Sequence, residues 1–240
     1  MAAPAFRSRT QTSGTATGLT GTEPAGATTD DIIMAVAYVE AGGPTFTPPS
    51  GWTSAFTSGA TTIDTGSMTT PDTWWGHAYW IRRGASAPSY TFGFGVSAYC
   101  ELTLFAYSGA YNTGDPFSFA SKAIRNSASA NTPLPDTSGT TDTADELLLF
   151  YGITFVGGTL TGPTGFTARA TAGHDTQTAD KTQAAAGATG TVTGATVSTA
   201  NSNAASFLFG LRSLAAPGGA TYVAPTIVVP RYAPQRAASW

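Results

Sequence analysis

Two carboxylate pairs are the first places in this sequence where chemistry could sit: Asp30-Asp31 and Asp145-Glu146, about 115 residues apart. Paired acids serve glycosidases when they converge across a cleft at roughly 5–9 Å. They hold calcium when further oxygen ligands stand in the same loop. Each pair here instead stands directly before a short apolar run, 32–39 in one case and 147–155 in the other. Acids repeated at the start of two matching strands read as turn chemistry and edge protection.

Other reactive residues are few. The two histidines are His77, in an aromatic strand where a packed or rim position is expected, and His174. His174-Asp175, with Asp180 nearby, could orient a base from a polar loop expected over 171–180. No Gly-x-Ser-x-Gly nucleophile motif accompanies it. Cys100 is the single cysteine and lies in an apolar strand, so it reads as a small buried hydrophobe and admits no internal disulfide. Zinc spacings, EF-hand loops and P-loops do not occur. The expectation is a non-enzymatic chain that needs no cofactor and no metal.

Aromatic residues offer binding rather than catalysis. In Trp74-Trp75-Gly76-His77-Ala78-Tyr79-Trp80-Ile81, strand alternation puts Trp74, Gly76, Ala78 and Trp80 on one face and Trp75, His77, Tyr79 and Ile81 on the other. An exposed face would make a sugar-stacking platform, with Trp74 and Trp75 as its candidate contacts, although half of these side chains should enter the core. A second set, Tyr222, Ile227, Val229, Tyr232 and Trp240, sits on a Pro/Gly stretch from 215 to 240. Pro217, Pro225, Pro230 and Pro234 keep that stretch extended. A terminal arm without its own core becomes ordered by docking, so this one is expected to anchor on a neighbouring subunit. Folding back on its own domain is the alternative.

The elements that must carry these residues are strands. Charged residues are 10% of the chain against roughly 25% in ordinary soluble domains. Threonine, at 42 of 240 residues, takes much of their place and favours strands and turns. Aromatic residues at 11% argue against low-complexity disorder. The net charge of −3 comes without clustered Lys or Arg, which excludes a nucleic-acid groove. No apolar window reaches 18 residues, so no membrane span is expected, and residues 1–9 lack the apolar core of a secretory signal.

The apolar runs after the acid pairs read as strands buried on both faces. Thr45-Phe46-Thr47-Pro48-Pro49-Ser50-Gly51-Trp52-Thr53 answers to Thr159-Leu160-Thr161-Gly162-Pro163-Thr164-Gly165-Phe166-Thr167, a rigid corner in each copy. Further strands are expected at 74–82, 90–96, 99–107, 189–199 and 206–212, with polar loops at 57–73 and 171–180. The expected fold is all-β: a single jelly-roll-like antiparallel β-sandwich built from two similar halves, with extended N- and C-terminal arms. Its divisions are an N-terminal arm or edge strand at 1–27 and a sandwich at 28–214. The sandwich has halves 28–111 and 144–214 joined by a linker at 112–143 that carries short strands of its own. An anchoring arm at 215–240 follows.

The acid pair, the apolar strand, the Pro-Pro-Ser-Gly-Trp corner, Ala78-Tyr79-Trp80-Ile81 and Pro88-Ser89-Tyr90-Thr91-Phe92 together resemble the jelly-roll-like sandwich modules of tailed-bacteriophage virion proteins. Residues 30–39, 47–53, 78–81, 89–92 and 104–109 carry the resemblance, with 145–153, 162–167, 182–190 and 207–212 in the second half. The resemblance implies a structural virion protein, of the capsid-decoration or minor tail type, assembled in the bacterial cytoplasm. Its partners would be other virion subunits and copies of itself, and no family catalytic residues come with it. A receptor- or carbohydrate-binding module at a tail tip, touching a host surface glycan, is the alternative.

Overall fold

A computed structural model describes residues 3–55, 63–64, 75–154, 158–169 and 176–214. Its strands, in chain order, are β1 (Ala5–Thr20), β2 (Ile32–Val39), β3 (Thr53–Ser54), β4 (Ile63–Asp64), β5 (Trp75–Arg82), β6 (Thr91–Ser108) and β7 (Phe117–Pro133). They continue as β8 (Thr140–Thr141), β9 (Glu146–Thr154), β10 (Leu160–Thr161), β11 (Thr167–Ala168), β12 (Thr176–Gln183), β13 (Gly187–Ala188) and β14 (Thr196–Leu211). One sheet has the order β1-β6-β2-β5-β3, with β4 beside β5. A second has the order β10-β14-β9-β12-β11, with β7 beside β14, and β8 pairs with β13. The expected all-β sandwich of two similar halves is what forms, and each large sheet comes wholly from one half of the chain.

The halves correspond strand for strand: β1 with β7, β6 with β14, β2 with β9, β5 with β12 and β3 with β11. Registers agree as well. Ile32 of β2 faces Tyr107 and Arg82, while Leu147 of β9 faces Leu211 and Thr182. Both central strands are buried along their whole length, as their unbroken apolar runs require. One set of side chains, including Met34, Val36, Phe105, Tyr151, Phe207 and Phe209, fills the space between the sheets. The outer face of the first sheet is covered by Phe46 and Trp52, and that of the second by Leu160, Phe166 and Val192. This two-sided burial explains why so apolar a run suits a strand here.

The corners repeat in detail. Trp52 N–H donates to Pro49 O and Phe166 N–H to Pro163 O, with Gly51 and Gly165 both at positive φ in the third turn position. The Trp52 indole then donates to Ser89 O at 2.9 Å and meets Phe92 edge-on at 5.0 Å. Trp52 therefore plugs the outer face of its sheet.

Several strand boundaries differ from expectation. The strands expected at 90–96 and 99–107 are one strand, β6, because the break between them is a bulge: residues 94–97 stand opposite Thr17 alone. Within the stretch expected at 1–27 as an arm or edge strand, Ala5–Thr20 is the edge strand β1, paired along β6. The 112–143 linker contains a long strand rather than short ones, since β7 is the second half's counterpart of β1. Strands expected at 189–199 and 206–212 are replaced by one, β14, and Val192 only bridges Thr137. From Thr176 onward the polar loop expected at 171–180 is the interior strand β12, where Glu101 engages Thr176 and Arg169 engages Asp180.

Candidate functional site

The acid pairs are turn devices. Asp30 and Asp145 are the non-glycine residues with positive φ among those described, at 70° and 58°. Short polar side chains tolerate this left-handed conformation better than most. The second acid of each pair turns inward. Asp31 accepts from Thr28 N–H at 2.7 Å and pairs with Arg7 at 2.6 Å. Glu146 accepts from Asp142 N–H, Thr143 N–H and Ser118 Oγ. Arg7 and Ser118 occupy matching bulges, near the start of β1 and of β7 respectively. Each buried carboxylate thus ties the turn to the edge strand of its own sheet through protein donors. Among the described residues no group of three or more His, Cys, Asp or Glu side chains could hold a metal ion.

A polar cluster lies between the sheets. Glu101, 2% exposed, accepts hydrogen bonds from Thr176 at 2.8 Å, Thr103 at 3.1 Å and Tyr151 at 3.5 Å. Arg9 from β1 donates to Thr176 Oγ1 at 3.3 Å and to Gln11 Oε1. Burial, with the Glu101 charge adding to it, pushes the Tyr151 phenol above its ordinary range and keeps it a donor. Tyr151 also borders a cavity of about 10 Å³ among Met34, Val36, Phe105 and Phe209. That volume holds about one water and admits no substrate. The cluster therefore joins the two halves by hydrogen bonds. Its signal in the sequence is a carboxylate inside the apolar run Ala98-Tyr99-Cys100-Glu101-Leu102.

His77, 4% exposed, stacks on Tyr79 at 4.2 Å and lies 5.8 Å from Phe46. Its Nε2 is 3.1 Å from Ser54 Oγ. Burial, with the charge of Lys122 as a smaller cause, pushes the imidazole down to about 4, so the ring is neutral at pH 7. A neutral ring can accept the Ser54 proton, which is the first half of a nucleophile–base pair. The aromatic packing around it matches the packed histidine that the sequence suggests.

Alternation along β5 holds. Trp80 faces inward against Phe117, and Tyr79 faces outward against Phe92. Tyr79 is buried, so of the expected stacking platform the described residues leave the half-buried Trp75, beside Asp64 of β4. Trp74, His174 and the arm residues Tyr222, Ile227, Val229, Tyr232 and Trp240 lie outside the described residues. Cys100 is buried, its thiol against the carbonyls of Gly14 and Ala16.

Four ion pairs tie distant segments together among the described residues. Arg7 pairs with Asp31, Arg83 with Glu23, Arg169 with Asp180 and Arg212 with Asp142. The Arg169–Asp180 pair is bidentate at 2.8 Å in both bonds, and it anchors the polar strand β12.

The two ends of the described fold meet at one corner. Leu214 N–H donates to Gly109 O at 2.8 Å, and Ser213 bridges Ala110. A Cβ on Gly109 would lie 3.8 Å from Ala3 O and Pro4 Cα. Leu214 is the large hydrophobic side chain left exposed there. No protein-family model, curated protein or solved structure matches this chain.

Proposed function

We propose that this chain is a structural, non-enzymatic bacteriophage virion protein, a capsid-decoration or minor tail protein held to the particle through its extended ends. The observation that carries the reading is the shared corner at Gly109, where the path out of β14 passes beside the start of β1. A C-terminal arm would leave the fold from this corner, where Leu214 offers it an apolar foot. The reading draws further support from a sequence with only 10% charged residues, which suits subunits packed against one another, and from the sequence resemblance to virion sandwich modules.

The test is assembly. Particles formed with a chain lacking residues 215–240 should omit the protein while its far-UV circular dichroism keeps the β signature. Incorporation at the level of the full chain would overturn the anchoring role.

A further inference from the structure

Among the described residues, most sheet borders are guarded and β1 is not. β3, β4, β10 and β11 are two residues long, while β7 carries Lys122 and Arg125 and closes on Pro133. Short length, cations and proline are the usual protections against edge-to-edge pairing. β1 runs for 16 residues, and among the described residues it pairs with β6 alone. Its register is unbroken from the Ser8–Ala106 pair to the Ala16–Ala98 pair. Residues 10–20, Thr-Gln-Thr-Ser-Gly-Thr-Ala-Thr-Gly-Leu-Thr, hold no charge and no proline. Its two cations lie earlier and are engaged, Arg7 with Asp31 and Arg9 with Gln11 and Thr176.

We infer that the free edge of β1 pairs antiparallel with β1 of a second copy, joining two first sheets into one continuous sheet. Charge permits this occupant. With the two-fold axis at Gly14, Thr15 faces Ser13 of the second copy, Arg9 faces Leu19, and Arg7 lies beyond the strand end, so no like charges meet. Ser13, Thr15 and Thr17 are exposed, and a Cβ on Gly14 would meet nothing within 4 Å. A Thr/Ser/Gly/Ala edge carries little side-chain information for a foreign partner, whereas a two-fold contact needs only self-complementarity. Residues 10–20 run away from the Gly109 corner, so dimerisation and particle incorporation are separate readouts.

The experiment is sedimentation equilibrium of the full-length chain and of Thr15→Lys and Thr15→Glu, alone and mixed. Around Gly14 the two copies of residue 15 are diagonal neighbours, close enough for like charges to repel and opposite charges to attract. The unaltered protein should sediment at twice its 24.4 kDa mass. Each variant should sediment as a folded monomer, and the equimolar mixture should regain the dimer. Ser13→Lys and Ser13→Glu supply the same comparison if a Thr15 variant fails to fold. A monomeric unaltered protein, as when the chain's own residues 215–240 cover the edge, would overturn the inference. So would a dimer indifferent to both charges, or one lost and not regained on mixing.

Discussion

Thr176 donates a 2.8 Å hydrogen bond to Glu101 across the boundary between the two sheets, joining residues 75 positions apart. Thr103 and Tyr151 complete the shell around the same carboxylate oxygen. The interior tolerates this acid because hydroxyl donors replace the water it loses.

Removing the acid should therefore leave buried donors unpaired. Glu101→Ala is expected to cost about 3 kcal/mol, and Glu101→Gln less, since the amide oxygen keeps one acceptor. Thr176→Val should cost about 1 kcal/mol. Urea unfolding of the three variants checks the ranking.

His77 makes stability depend on pH. Its folded value near 4 lies below the ordinary 6.5, so the unfolded chain binds the proton first as pH falls. The contribution is complete above about pH 6.5 and is lost progressively as pH falls towards 4, amounting to about 3 kcal/mol at most. Glu23 and Asp142 are also held below their ordinary values, by Arg83 and Arg212, so their losses fall below the usual carboxylate range and lie largely outside this window. His77→Gln should flatten the curve between pH 6.5 and 4, as read by denaturant midpoints at successive pH values.

Asp30 stands at φ 70°, where a branched side chain is strained. Asp30→Gly and Asp30→Asn should stay within about 0.5 kcal/mol of the parent, while Asp30→Val should cost about 2 kcal/mol. Thermal melts of the three proteins separate backbone strain from any role of the carboxylate, because glycine and valine remove it equally.

Asp31 couples its turn to the edge strand. Asp31→Ala should cost about 2 kcal/mol, since it deprives Thr28 N–H and Arg7 of their acceptor. Amide exchange should quicken first around Arg7, at the start of β1, while the β2 amides stay protected. Uniform loss of protection along both strands would contradict that coupling.

Some of this architecture is legible in single stretches of chain. The runs after Asp31 and Glu146 mark two central strands, Gly51 and Gly165 mark matching turns, and alternation along β5 assigns Tyr79 and Trp80 to opposite faces. Each of these rests on local physics, namely side-chain period, turn stereochemistry and burial of apolar surface. The polar strand β12 was legible to none of these, because Thr176 and Asp180 are buried only by virtue of Glu101 and Arg169. The Ser54–His77 pair likewise needs β3 and β5 brought side by side. By itself the sequence determined two similar β halves, the residues that turn them, and a chain poor in charge. The tertiary structure alone decided which polar groups may be buried and, among the described residues, which strands end each sheet. Both depend on partners far away in the chain, and hydrogen-bond satisfaction becomes defined only once the sheets have met.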